Sequence, residues 1–139
     1  MTAKPPQYPV GEREPERIKT ASGRPLSALS LDRVSAGEVP AADLSITAEA
    51  LRLQAQVARA AGRAPLAENF ERAAELVAVP QAFVLEVYEL LRPGRAAGRQ
   101  ELLDAAARLR AEFQAGRMAA FVEEAAAQYE ERRLFRRRY

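Results

Sequence analysis

The stretch LSITAEALRLQAQVARAAGRAPLAENFERAAELVAVP, residues 44–80, decides the fold. Thr47 is a good N-cap, because its hydroxyl accepts from amide donors that the first turn of a helix leaves unpaired. Glu49 then places a negative charge at the positive end of the helix dipole. The helix runs to about Ala61 and stops at Gly62. Pro65 fits the first turn of a second helix, where an amide hydrogen would have no partner anyway. Leu66, Phe70, Ala73 and Val77 recur at spacings of 4, 3 and 4, which predicts one apolar helical face. Pro80 opens a third helix in the same way.

Outward from this pair the pattern continues. The third helix carries Phe83, Val84, Val87, Tyr88 and Leu91, and Pro93-Gly94 ends it. A fourth carries Leu102, Ala106, Leu109 and Phe113, with Gly116 as the expected break. A fifth carries Met118, Phe121, Val122, Ala125 and Tyr129. Upstream, residues 29–37 predict a short helix, capped by Ser30, with Leu31 and Val34 on one face and Gly37 as its stop. No stretch alternates with period two, and no internal repeat of fixed period occurs. The expected fold is therefore all-α: a small helical domain of about five long helices and one short one, whose short loops make consecutive helices near-antiparallel neighbours.

Residues 1–28 contain five of the nine prolines, each of which fixes φ and removes a backbone donor. They predict an extended N-terminal arm. Tyr8, Val10, Ile18 and Leu26 recur through that arm and are candidates for contact with another surface. The division expected is 1–28 arm, 29–135 helical domain and 136–139 basic C-terminal tail.

Apolar residues make up 48% of the 139, but 30 of those 67 are alanine. Alanine buries little surface, and stabilisation scales at about 25 cal/mol per Å² of apolar area removed from water. An inventory of this kind points to a chain that shares its large apolar side chains with a partner. Net charge is +2, from 21 basic and 19 acidic residues. There is no cysteine and no histidine, so the common nucleophile–base pairs, disulfides and most transition-metal sites are excluded. Glu123-Glu124 and Glu130-Glu131 are adjacent pairs that diverge by about 100° on a helix and belong to a solvated face. PGRAAG at 93–98 lacks the GK[ST] ending of a phosphate-binding loop. No catalytic, cofactor-binding or metal-ligating residue is assigned. No segment has the ~18 continuous apolar residues of a membrane span, and the proline-rich start is no secretory signal, so the expected compartment is the cytoplasm.

At the other end, Arg132, Arg133, Arg136, Arg137 and Arg138 bracket Leu134 and Phe135. Three readings stand: a frayed, soluble terminus, a docking tail for an acidic partner surface, or a grip on nucleic acid. Residue patterns alone leave open a helical subunit or adaptor, or a small basic helical nucleic-acid-binding protein.

Letter for letter, the chain resembles the small (gamma) subunit of adenosylcobalamin-dependent diol and glycerol dehydratases. QYPVGEREPERIKTASGRPLSALSLDRVSAGEV at 7–39 is similar to that family's arm, with its Tyr-Pro start and Lys-Thr-Pro-Ser-Gly turn. Residues 44–80 hold the closest part, including Asn-Phe-x-Arg-Ala-Ala-Glu-Leu before a proline. LEVYELLRP at 85–93, ELLDAAARL at 101–109 and AAFVEEAAAQY at 119–129 follow in the family's order. Ala21 stands where the family usually has proline, Gln81, Ala82 and Phe83 replace charged residues after Pro80, and the 94–98 loop and the Arg-rich end are peculiar to this chain. The resemblance implies a heteromeric lyase that turns a 1,2-diol or glycerol into the aldehyde and water by a radical route. It implies adenosylcobalamin held by the other subunits, and large TIM-barrel and medium subunits as partners in a dimer of heterotrimers. It also implies a small subunit that stabilises the assembly without catalytic residues, with no nucleic acid or membrane as partner. The arm would wrap the large subunit, and Asn69, Arg72 and Glu75, which lie off the main apolar stripe, join the candidate partner contacts. Only six residues precede the matching arm, too few for the microcompartment-targeting helix that some members carry.

Overall fold

The computed structural model describes residues 4–136. Seven α-helices occur among them, the first of them a single turn within the arm where no helix is expected, and three short 3-10 turns fall between the first three helices. The only β pairing among the described residues is an isolated bridge between Lys19 and Pro25. The chain forms two compact units, which meet in sequence at Val77 and Ala78.

In the first unit the arm winds through α1 (Val10–Arg13), 3-10 turns at Pro15–Arg17 and Leu26–Ala28, and α2 (Leu31–Ser35). Ser30 caps α2, its hydroxyl accepting from the Arg33 amide at 3.3 Å. A third 3-10 turn, Ala41–Leu44, leads into α3 (Ala48–Ala60). Thr47 caps α3 by accepting from the Ala50 amide at 3.1 Å. Gly62 reverses the chain in the left-handed region, φ +73°, where a side chain would be strained. The Gly62 amide donates to Arg59 and the Arg63 amide to Ala58, which satisfies carbonyls that the helix end orphans. α4 (Ala64–Leu76) then packs on α3.

The expected stripe of α4 is corrected in register. Ala67 and Ala74 are buried, Phe70 is partly so, and Leu66 and Val77, expected inside, are exposed. The α3–α4 core is Ala55, Ala58 and Ala67 with Phe70 against them. Small side chains permit close helix approach, and once alanines occupy the contact line, larger neighbours one position away are pushed outward.

The second unit holds α5 (Gln81–Leu90), α6 (Arg99–Phe113) and α7 (Gly116–Glu131), with α7 packed on α6. Leu102, Ala105, Ala106 and Leu109 of α6 and Ala119, Val122 and Ala126 of α7 are buried. The break between these helices lies at Gln114, φ +52°, and Gly116 opens α7 instead of ending α6. On α5, Phe83 and Val87 are buried, Phe83 meeting Phe113 at a ring-centroid distance of 5.7 Å. Tyr88 and Phe121, both expected on core stripes, are exposed. The frayed-terminus reading does not hold for residues up to Arg136. Leu134 accepts from the Gly94 amide at 2.7 Å and Arg136 donates its amide to Ala96 at 2.8 Å.

Candidate functional site

The first unit is organised around one carboxylate. Asp43, in the 3-10 turn before α3, is 3% exposed. Its two oxygens accept from the Ser22 amide at 2.9 Å and the Ser22 hydroxyl at 2.7 Å. The Arg24 guanidinium lies 3.3 Å away. Ser22 is presented by a tight loop. The Thr20 amide donates to the Arg24 carbonyl at 2.9 Å, the Gly23 amide to the Thr20 carbonyl at 2.9 Å, and the Arg24 amide to the Thr20 hydroxyl at 3.1 Å. Gly23 takes φ +84° there, a conformation open to glycine without strain. The Ser22 hydroxyl holds Asp43 below the ordinary carboxylate value; burial opposes this, and the Ser22 amide, the Thr20 hydroxyl and Arg24 reinforce it. Arg24 also donates to the Glu38 carbonyl at 3.1 Å. The arm is thus clasped to its own unit by side chains 21 residues apart in sequence.

Beside the clasp, Ile18, Leu26, Leu29, Leu44, Ile46 and Ala50 line an open cavity of about 270 Å³. A larger one of about 660 Å³ lies where Tyr8 faces Val57, Leu66 and Phe70 of the α3–α4 pair. Large apolar side chains are exposed around both: Tyr8 at 72%, Ile46 at 60% and Leu44 at 56%. A protein surface of this kind is suited to covering by another protein.

The candidate contacts from the sequence fall into different settings. Tyr8 is exposed. Ile18 and Leu26 are half-buried, both within van der Waals reach of a side-chain position at Gly11. Val10 is buried at 1% exposure, so its side chain is committed to packing inside this unit and is not free for a partner. Asn69 is exposed and accepts a hydrogen bond from the Arg72 guanidinium one turn on. Arg72 and Glu75 are half-buried, and both make interactions within the chain. Arm and α4 candidates therefore belong to the same unit, Tyr8 lining a cavity together with Phe70 of α4 and Asn69 exposed on that helix. Asp43, Ser22 and Arg24 are not among the candidates that sequence patterns supply. The signal for Asp43 is an acid among Leu and Ile just before a helix cap, with a Ser-Gly-Arg turn upstream to receive it.

In the second unit the adjacent acids are surface ion pairs. Arg110 donates to both oxygens of Glu123, at 2.6 and 3.2 Å, which holds Glu123 below its ordinary value. Glu130 pairs with Arg99 at 2.9 Å. Among the described residues no group of three or more His, Cys, Asp or Glu is arranged to hold a metal ion, and no helix is long and apolar enough to cross a membrane.

Comparison with known proteins gives this surface its setting. Residues 3–136 match the family model for the dehydratase small subunit. The chain is 49% identical over 132 residues to the propanediol dehydratase small subunit of Citrobacter freundii, covering 95% of this chain and 76% of that protein. It is 48% identical, over the same shares of each chain, to the propanediol dehydratase small subunit of Salmonella typhimurium. A match that runs through the clasp, the α3–α4 pair and the tail to Arg136 leaves one assignment: the chain belongs to the dehydratase small-subunit family.

Proposed function

We propose that this chain is the small, non-catalytic subunit of a coenzyme-B12-dependent dehydratase that converts propane-1,2-diol or glycerol to the aldehyde and water. The observation that carries this reading is the 49% identity to a propanediol dehydratase small subunit across 95% of the chain. Its partners are a large catalytic and a medium subunit, the complex is a dimer of heterotrimers, and the compartment is the cytoplasm. Adenosylcobalamin supplies the radical chemistry when bound to the complex. The residues here do not fit a cobalt site: the chain has no histidine or cysteine, and no step is assigned to its side chains. Its part is structural. The exposed Tyr8, Leu44 and Ile46, which line two cavities of the first unit, support a docking face there, and Ile18, Leu26, Asn69, Arg72 and Glu75 are its further candidate contacts. Val10 acts from inside by fixing the arm.

The test is co-expression of the chain with the reading frames beside its gene, purification through a tag on it, and assay of diol dehydration with and without adenosylcobalamin. A complex whose activity requires the cofactor is expected. A chain that purifies alone, or a complex indifferent to cobalamin, overturns the reading.

A further inference from the structure

The positive charge of this chain is all at one end. Residues 130–139 hold five Arg against two Glu, whereas the first 129 residues hold sixteen basic against seventeen acidic side chains. The described part of this cluster is built, not loose. α7 ends with Arg133 at φ +56°, the Arg133 amide donating to Glu130 at 3.2 Å and the Leu134 amide to Tyr129 at 2.9 Å. This is the double bond pattern that normally closes on glycine, the residue free of strain there. The elbow is then fixed by the bonds of residues 134 and 136 to the loop at 94–96. Phe135 stands edge-on to Tyr129 at 6.2 Å, and the Tyr129 hydroxyl donates to the Leu91 carbonyl.

Within this unit Arg92, Arg95, Arg99, Arg108 and Arg110 each have a carboxylate partner, and Arg117 is engaged. Arg132, Arg133 and Arg136 are exposed and form no ion pair among the described residues, Arg136 sharing an open groove with Glu86 and Glu89. A single cation satisfies the negative end of a helix dipole. Three on one rigid turn, one of them in a glycine position, exceed that need.

We infer that the elbow 132–136 is a rigid cationic docking element for an acidic segment on another subunit of the complex, an inference that rests on the proposed function. Nucleic acid fits less well. Phe135 is half-buried and packed edge-to-face with Tyr129, and the rest of the chain, with a slight acidic excess, offers no basic track for a phosphate backbone. Guanidinium forks suit carboxylates, and pre-positioned charges act chiefly on association rate and its salt dependence.

The experiment compares the co-expressed complex carrying the wild-type chain with one carrying Arg132→Gln, Arg133→Gly and Arg136→Gln together. Arg133→Gly keeps the elbow, because glycine suits that backbone, and removes only the charge. A second variant carries Lys at all three positions. The partner subunits are captured, and retention of the small subunit is measured against salt. The neutral variant is expected to bind about tenfold more weakly at low salt with a flattened salt dependence, and the Lys variant to recover most of both. Unchanged affinity and salt dependence in the neutral variant overturns the inference. So does loss of co-purifying RNA or DNA with subunit retention unaltered, which assigns the elbow to nucleic acid. A wild-type chain that captures no partner at any salt overturns the proposed function as well.

Discussion

The α3–α4 and α6–α7 pairs are two antiparallel helix hairpins filled to different degrees. Both have alanine on the contact line. In α3–α4 the buried cluster is Ala55, Ala58 and Ala67 with the partly buried Phe70 against it, and α3 also buries Leu51 and Leu53, though neither as fully as Leu102 and Leu109 of α6. In α6–α7 the alanines alternate with Leu102, Leu109 and Val122, three of the largest fully buried side chains in the molecule. Each buried methylene contributes about 0.8 kcal/mol, so the second hairpin draws more on its own core. The first has the clasped arm in addition. Alanine on the α4 contact line leaves Leu66 and Val77 on the surface, which is how a chain with ample apolar content comes to expose it. The comparison teaches that alanine richness sets geometry first and stability second.

Opposite substitutions should break the two hairpins. Leu109→Ala, at a site 1% exposed, removes core volume from α6–α7 and should cost about 2–5 kcal/mol in denaturant unfolding. The reverse change, Ala55→Leu at a site with no exposure, should overpack α3–α4 and cost about 1–3 kcal/mol. Were Ala55→Leu harmless, the close approach would be wrong. Thr47→Ala removes the cap of α3 and should cost about 1 kcal/mol, as a lower unfolding midpoint with unchanged slope. Leu66→Ala is expected within about 0.5 kcal/mol of neutral, and a loss as large as that of Leu109→Ala would refute the observed register of α4.

The clasp supplies a sharper distinction, through pH. Asp43 binds its proton more weakly folded than unfolded, so as pH falls the unfolded chain takes up the proton first. The stabilisation from Asp43 is therefore complete above the ordinary value of 3.8 and is lost as pH drops through the lower folded value. Amide exchange at Ser22 and Arg24 should accelerate over that range ahead of exchange in α6. Asp43→Asn should abolish this acid step, and a step that survives would assign it to another group.

Much of the fold is legible from local chemistry. Thr47, Gly62, Pro65 and Pro80 fix helix limits through groups within four residues, and these limits hold to within a residue. Two kinds of information were not local. Which side of an alanine-rich helix is buried depends on the helix packed against it, so periodicity favoured Leu66 and Val77 over Ala67 and Ala74. The clasp and the tail depend on pairings across 21 residues between Ser22 and Asp43 and across about 40 between the 94–96 loop and the C-terminal elbow. Nothing in a window of sequence ranks such pairings. Of the candidate docking face, Tyr8 is readable as an apolar residue in a proline-rich arm, whereas Leu44 and Ile46 lie just before a helix cap and show no periodicity that marks them.

Holding the arm through Asp43 also bears on when conformational freedom is lost. A tail that orders only on meeting its partner gives up about 1–2 kcal/mol of backbone entropy per residue at the moment of association. In this chain the segment from Val10 to Arg24 already has its shape, so that loss falls during folding of the subunit. The partner then meets a formed surface, and its grip reflects the contacts made more than the disorder removed.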